Sequence, residues 1–252
     1  MEGMKRILSY VRRAVDDYQM IKEGDKIAVG VSAGKDSLTL LTAMAELRRF
    51  YPQKFELCAI TVDMGFEGSD FSGINEFCQG LGVEYHIVPT QISKIIFDVR
   101  KEKNPCSLCA KMRRGALYNY AKEIGCVSVT LGHHFDDVVE TFMLNLFYEG
   151  RLGCFQPVTY LSNTDITLIR PMIYMPEKDV RYFASKNILP IVKSHCPADG
   201  NTEREQMKQL LRNLEKENKG LRYRIFGAIQ RGEIDGFKQI GRMQGIKDYT
   251  DD

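Results

Sequence analysis

The chain has 252 residues, 44% of them hydrophobic and 27% charged, and a formal net charge of +2 from 35 Lys plus Arg against 33 Asp plus Glu. These proportions exclude a disordered or low-complexity chain, and roughly 70–75% of the unfolded surface of a chain this long can be buried, enough for a full core. No apolar segment reaches membrane-spanning length and the net charge is too small to argue by itself for nucleic acid, so the chain reads as a cytoplasmic protein with no signal peptide and no membrane partner.

In chain order, residues 1–22 mix basic, acidic and apolar residues at helical spacing and predict an N-terminal helix. From there apolar runs alternate with helical patterns, as a parallel sheet requires. Strands are predicted over 27–31, 57–62, 85–88, 127–131 and 167–170, with helices over 38–51, 73–81, 108–124 and 136–148 and a short strand-like run at 188–192. The predicted fold class is α/β, an open, mostly parallel sheet with helices on both faces. Right-handed crossovers then bring the loops that follow the strands to one edge, where such sheets bind ligands. Regularity breaks near 194–201, which separates a main domain, 23–200, from a helical segment, 201–252. In that segment Thr202-x-x-Glu205 has the form of a capping box. Arg204, Lys208, Arg212 and Lys216 recur there at every fourth position, a stripe suited to a phosphate backbone. The interleaved Glu203, Glu215 and Glu217 also fit an ordinary solvated helix.

Three strings carry chemistry. Ser32-Ala33-Gly34-Lys35-Asp36-Ser37 joins the first main-domain strand to its helix, and successive N–H groups in such a turn converge on an anion at a helix start. The string lacks Walker spacing. The second string, Pro105-Cys106-Ser107-Leu108-Cys109, presents two thiols to one centre, a spacing shared by zinc, iron–sulfur and redox sites, with Arg113 and Arg114 close behind. No second C-x-x-C exists to close a four-cysteine zinc site, and Cys196, in His195-Cys196-Pro197, is the candidate third ligand. The remaining cysteines, Cys58, Cys78, Cys126 and Cys154, lie in or beside apolar runs and read as small buried hydrophobes. The third string, Leu131-Gly132-His133-His134-Phe135-Asp136-Asp137, follows a strand end. Gly132 there permits close backbone approach, and Asp136 and Asp137 suit metal orientation, proton handling or simply a helix N-terminus.

The first string resembles the S-G-G-x-D-S PP-loop of the ATP pyrophosphatase superfamily, which cleaves ATP between its α and β phosphates. Ala33 stands where the motif has glycine, which requires backbone torsions suited to an L-residue. The ordered combination of all three strings, over about residues 26–196, looks like the tRNA 2-thiocytidine synthetase family. That resemblance implies an enzyme that adenylates the 2-oxo group of an anticodon-loop cytidine and replaces it with sulfur, releasing AMP and pyrophosphate. It implies ATP contacts at Ser32, Ala33, Gly34, Lys35, Asp36, Ser37, Asp63, Gly132 and His133, with Asp36, Asp136 and Asp137 catalytic and Mg²⁺ near Asp36. A 4Fe–4S cluster on Cys106, Cys109 and Cys196 would leave one iron open to sulfur. tRNA is the implied partner, met by Arg113, Arg114, Arg204, Lys208 and Arg212. The resemblance further implies a sulfur donor, such as a cysteine desulfurase or free sulfide, and a homodimer. Alternatives are thiolation of a uridine, a lysidine-synthetase-like ligase, and a non-catalytic nucleotide- or metal-binding regulator.

Overall fold

A computed structural model describes residues 1–100, 105–192, 196 and 203–239. Among these residues, β1 (Asp25–Gly30), β2 (Phe55–Asp63), β3 (Glu84–Pro89), β4 (Ser128–Thr130), β5 (Val158–Leu161) and β6 (Ile166–Ile169) form one sheet in the order β3-β2-β1-β4-β6-β5. Every neighbouring pair is parallel except β5 with β6. Among the described residues eight α-helices surround it: α1 (Met4–Asp17), α2 (Lys35–Arg48), α3 (Ser72–Gly80), α4 (Pro105–Glu123), α5 (Phe135–Tyr148), α6 (Glu177–Lys186), α7 (Glu203–Glu217) and α8 (Leu221–Arg231).

The period-2 alternation of the strands divides the interior into two cores. Ile27 and Val29 of β1, with Leu57 and Ala59 of β2, join the larger core, while Ala28, Cys58 and Ile60 point to the smaller one. The smaller core is covered by α4 through Leu117, Tyr118 and Ala121. The larger core holds α2, buried almost all round over residues 37–47, and also takes Val11 of α1, Val139 of α5, Phe183 of α6, Leu211 of α7 and Phe226 of α8. Cys58, Cys78 and Cys126 are buried in these cores and Cys154 is half-buried, as small apolar side chains would be.

Chain order places a switch point beside β1. The chain leaves β1 for β2 and β3 on one side, then returns to β4 on the other, so the loops after β1 and β4 flank one crevice.

Several elements differ from expectation. Helix α2 begins three residues before the predicted 38, because Gly34 is already extended and serves as its N-cap residue. Strand β5, helix α6 and a π-helical turn at Lys94–Val99 were not predicted. The run 188–192 is not a strand: Pro190 has no N–H to give a ladder, Ile188 is fully exposed, and only Leu189 and Val192 pack against the larger core, the Val192 N–H donating to the Ala33 carbonyl at 3.1 Å. Thr202 of the expected capping box, and all of the 194–201 break except Cys196, lie outside the described residues.

Candidate active site

The β1–α2 turn is closed from within. The Ser32 N–H donates to Ser37 Oγ at 3.1 Å, and Ser37 Oγ donates to the Gly34 carbonyl at 3.0 Å. No side chain caps the N-terminus of α2, so its first amides are available to an anion. Ala33 has φ 62°, the left-handed conformation that favours glycine, so the expectation of torsions suited to an L-residue is corrected.

Gly132 lets the end of β4 approach that turn. A Cβ at this position would stand 3.0 Å from both the carbonyl carbon and oxygen of Asp36 and 3.1 Å from the Ser37 nitrogen. Between the two loops opens a cavity of about 430 Å³, walled by Ser32, Asp36 and Ser37, by Gly132 and His133, by Ile60 and Val62, by Ala110, Arg113, Arg114 and Tyr118 of α4, and by Arg170. The volume suits a small-molecule ligand.

Charges in and around this crevice form linked chains. Lys35 Nζ donates to Asp36 Oδ1 at 2.8 Å and lies 3.3 Å from Glu177 Oε1. Burial alone would lower the Lys35 pKa, but the two carboxylates outweigh it and raise it. Glu177 is buried, which would raise its pKa; hydrogen bonds from Lys208 (3.0 Å) and Arg181 (2.8 Å) together with the Lys35 charge instead hold it down at about 2. His134 caps α5 reciprocally with Asp137: the His134 N–H donates to Asp137 Oδ2 at 2.9 Å, and the Asp137 N–H donates to His134 Nδ1 at 3.4 Å. His134 Nε2 lies 3.8 Å from Asp36 Oδ1, which links the cap to the β1–α2 turn. Burial would raise the Asp137 pKa, but His134, His133 and Arg204 lower it. His133 lines the cavity, its ring 4.9 Å from that of Phe155, and burial pushes it down to about 4, so the imidazole is neutral at physiological pH.

Some expected site residues stand apart. Asp136 accepts from the Glu177 N–H and from Arg222, each at 2.7 Å, and so ties α5 to α6 and α8 instead of facing the crevice. Asp63 ends β2, but its carboxylate accepts from the Gly65 N–H at 2.9 Å in a local turn, and Val62 lines the cavity in its place. The basic stripe is partly turned inward. Arg204 donates to Asp137 at 3.1 Å and to Thr141 at 3.0 Å, and Lys208 is spent on Glu177. Arg204 and Arg212 both remain about two-fifths exposed, Arg212 lying 3.9 Å from Glu205. Glu177 and the capping role of His134 had no place in the sequence reading.

Cys106 is exposed and Cys109 half-buried, three positions apart in the first turns of α4. Burial raises the Cys109 pKa, Arg113 opposes it, and the neighbouring Cys196 and Cys106 thiols raise it further. Among the described residues no three His, Cys, Asp or Glu side chains converge on a single ion. A cubane does not ask for such convergence, because each thiolate takes a different iron, so three neighbouring thiols beside an arginine fit that group in chemistry and charge.

A parallel sheet whose chain order switches beside an uncapped phosphate turn, with the cysteine-bearing helix α4 walling the same cavity, defines an ATP-binding α/β protein of the PP-loop class, and the PP-loop domain family matches residues 7–215. Within that class the chain belongs to the tRNA-cytidine(32) 2-sulfurtransferase family, a family of enzymes. It is 41% identical over 228 residues to the Geobacter sulfurreducens member, covering 89% of each chain. It is 40% identical to the Teredinibacter turnerae member, covering 90% of this chain and 76% of that one. Among solved structures, the U34-tRNA thiolase NcsA from Methanococcus maripaludis with its [4Fe-4S] cluster superposes with a TM-score of 0.74 at 31% identity, over 91% of this chain and 78% of that one. NAD+ synthetase from Burkholderia pseudomallei, 13% identical with a TM-score of 0.51 over 92% of this chain and 89% of that one, shares the fold alone.

Proposed function

We propose that the chain thiolates an anticodon-loop cytidine of tRNA in an ATP-dependent reaction. One observation carries this reading: the uncapped turn that would take ATP and the helix that bears Cys106 and Cys109 wall the same cavity, so activation and sulfur delivery have a common address. The pyrimidine oxygen attacks the α-phosphorus and pyrophosphate leaves. Sulfide then attacks C2, the C2–O bond breaks, and AMP departs with the original oxygen while sulfide gives up its proton. Adenylation is needed because the free 2-oxo group is a poor leaving group.

The residues divide that work. The amides at the start of α2 and Ser37 would bind the phosphates, with Lys35 moving from Asp36 and Glu177 onto the developing negative charge. Asp36 would supply one carboxylate to Mg²⁺, which would offset charge on the phosphates. Neutral His133 and Gly132 would form the wall where base and nucleotide meet, and Asp137 would orient His134. A [4Fe–4S] cluster held by Cys106, Cys109 and Cys196 would supply an iron without a protein ligand at which sulfur from a desulfurase or free sulfide can be offered. Among the described residues no helix is long and apolar enough to cross a membrane. The outer basic side chains would meet RNA, and association as a homodimer would widen that surface.

The test is anaerobic purification beside Cys109→Ser, with iron, labile sulfide and tRNA nucleosides measured after incubation with ATP and sulfide. The expected result is about four irons per chain in the native protein, loss of cluster in the variant, and 2-thiocytidine only with ATP. Thiouridine would redirect the reading to the U34 position, and thiolation undiminished in the variant would refute the cysteine assignment.

A further inference from the structure

Arg170, at the carboxyl end of β6, is 7% exposed and lines the cavity from beyond Gly132 and His133, opposite the β1–α2 turn. Its guanidinium lies 4.9 Å from the centre of the Phe155 ring; one terminal nitrogen donates to the Gln156 carbonyl and, at 3.2 Å, to Thr159 Oγ1, while the buried Nε has no partner. Every one of these contacts is neutral. Among the described residues no carboxylate is paired with Arg170 or with Arg114, whose own Nε donates to the Ala110 carbonyl at 3.1 Å. Burial first, and then the like charge of Arg114, pull the Arg170 pKa down to about 10. A buried cation held beside a second cation, with no counter-charge, is costly unless an anion completes it.

We propose that Arg170 and Arg114 form a second anion subsite in the cavity, separate from the β1–α2 turn, that takes one phosphate group on the Arg170 guanidinium. The proposal rests on the nucleotide-dependent function above. Two phosphates share the required chemistry: the α-phosphate that remains with adenosine once pyrophosphate has gone, and the phosphodiester beside the base entering from RNA. Planar guanidinium groups suit either, and a lysine would not reproduce the fork.

The test uses the full chain and its R170Q, R170K and R114Q variants. Calorimetry follows ATP, AMP and adenosine, and fluorescence anisotropy follows a labelled anticodon stem-loop. In R170Q, AMP affinity is expected to fall about tenfold or more while adenosine affinity stays put, with R170K between the two. R114Q changes an exposed side chain and should give a smaller loss on AMP alone, which keeps the test decisive if R170Q fails to fold. Loss on the stem-loop with AMP binding intact would assign the subsite to the RNA phosphodiester. Equal losses on AMP and adenosine, or no loss on either AMP or RNA, would overturn the subsite. A native protein that binds neither ATP nor AMP would overturn the nucleotide reading and the subsite with it.

Discussion

Gly132→Ala tests whether close approach of β4 to the β1–α2 turn shapes the site. The new methyl carbon would lie 3.0 Å from the Asp36 carbonyl carbon and oxygen and 3.1 Å from the Ser37 nitrogen. That is about 0.5 Å inside ordinary non-bonded contact. All three atoms are main chain in the first turn of α2, so no side chain can rotate away; the helix start and the strand end must separate. Gly132 is not left-handed, so alanine brings no torsional strain of its own. Overpacking costs about 1–3 kcal/mol, and the lower entropy of the unfolded alanine chain returns about 0.4–1 kcal/mol. The net destabilisation is about 1–2 kcal/mol, or roughly 2–8 °C in Tm for a chain of this size. Moving the Asp36 and Ser37 amides should also weaken ATP binding by about tenfold, the equivalent of one charge-assisted hydrogen bond. Thermal unfolding and ATP calorimetry on the variant read the two effects separately. An unchanged Tm and ATP affinity would show that the loops tolerate separation and that Gly132 has no role in shaping the turn.

Ala33→Gly should act in the opposite direction. An alanine at φ 62° costs about 1–2 kcal/mol and glycine's extra unfolded-state entropy returns about 0.5–1 kcal/mol of that, so the variant should gain about 0.5–1 kcal/mol in urea denaturation; a loss would mean that the alanine methyl contributes more than its torsion costs. Acid titration of stability should show two windows. His133, depressed by burial from 6.5 to about 4, resists protonation in the folded state, so stability falls as pH drops through that interval and H133N should flatten it. Glu177, lowered from 4.5 to about 2, supplies stability that is complete above pH 4.5 and drains as pH falls towards 2, in total about 3 kcal/mol. E177Q should erase this lower window and destabilise the protein at neutral pH, since Lys35, Arg181 and Lys208 lose their common carboxylate. An acid limb of unchanged shape in E177Q would refute the assignment.

The inner parallel strands β1, β2, β4 and β6 were legible because they are largely buried and read as continuous apolar runs, and the edge strand β3 by its short run at 85–88. Strand β5 was not, since its residues are half-buried or exposed on an antiparallel edge and give neither a run nor a clean alternation. Helix α6 escaped for a related reason: it follows a turn at 171–175 whose apolar residues belong to the core without helical spacing. At the site, the residues recoverable from sequence are those whose role is local: Ser37 closing its own turn, Gly132 beside it, and the cysteine pair on one helix. Glu177 was invisible because its meaning lies in partners 142 positions before it and 31 after it in the chain, Lys35 and Lys208. The pairing of the basic stripe was hidden for the same cause. Fourfold spacing correctly gathers Arg204 and Lys208 on one face of α7, but spacing cannot say whether that face meets solvent or the acids of α5 and α6. A helix whose cations neutralise Asp137 and Glu177 is part of the electrostatic frame of the nucleotide crevice, so removing charge from α7 should disturb Lys35 and Asp137 before it disturbs any outer surface.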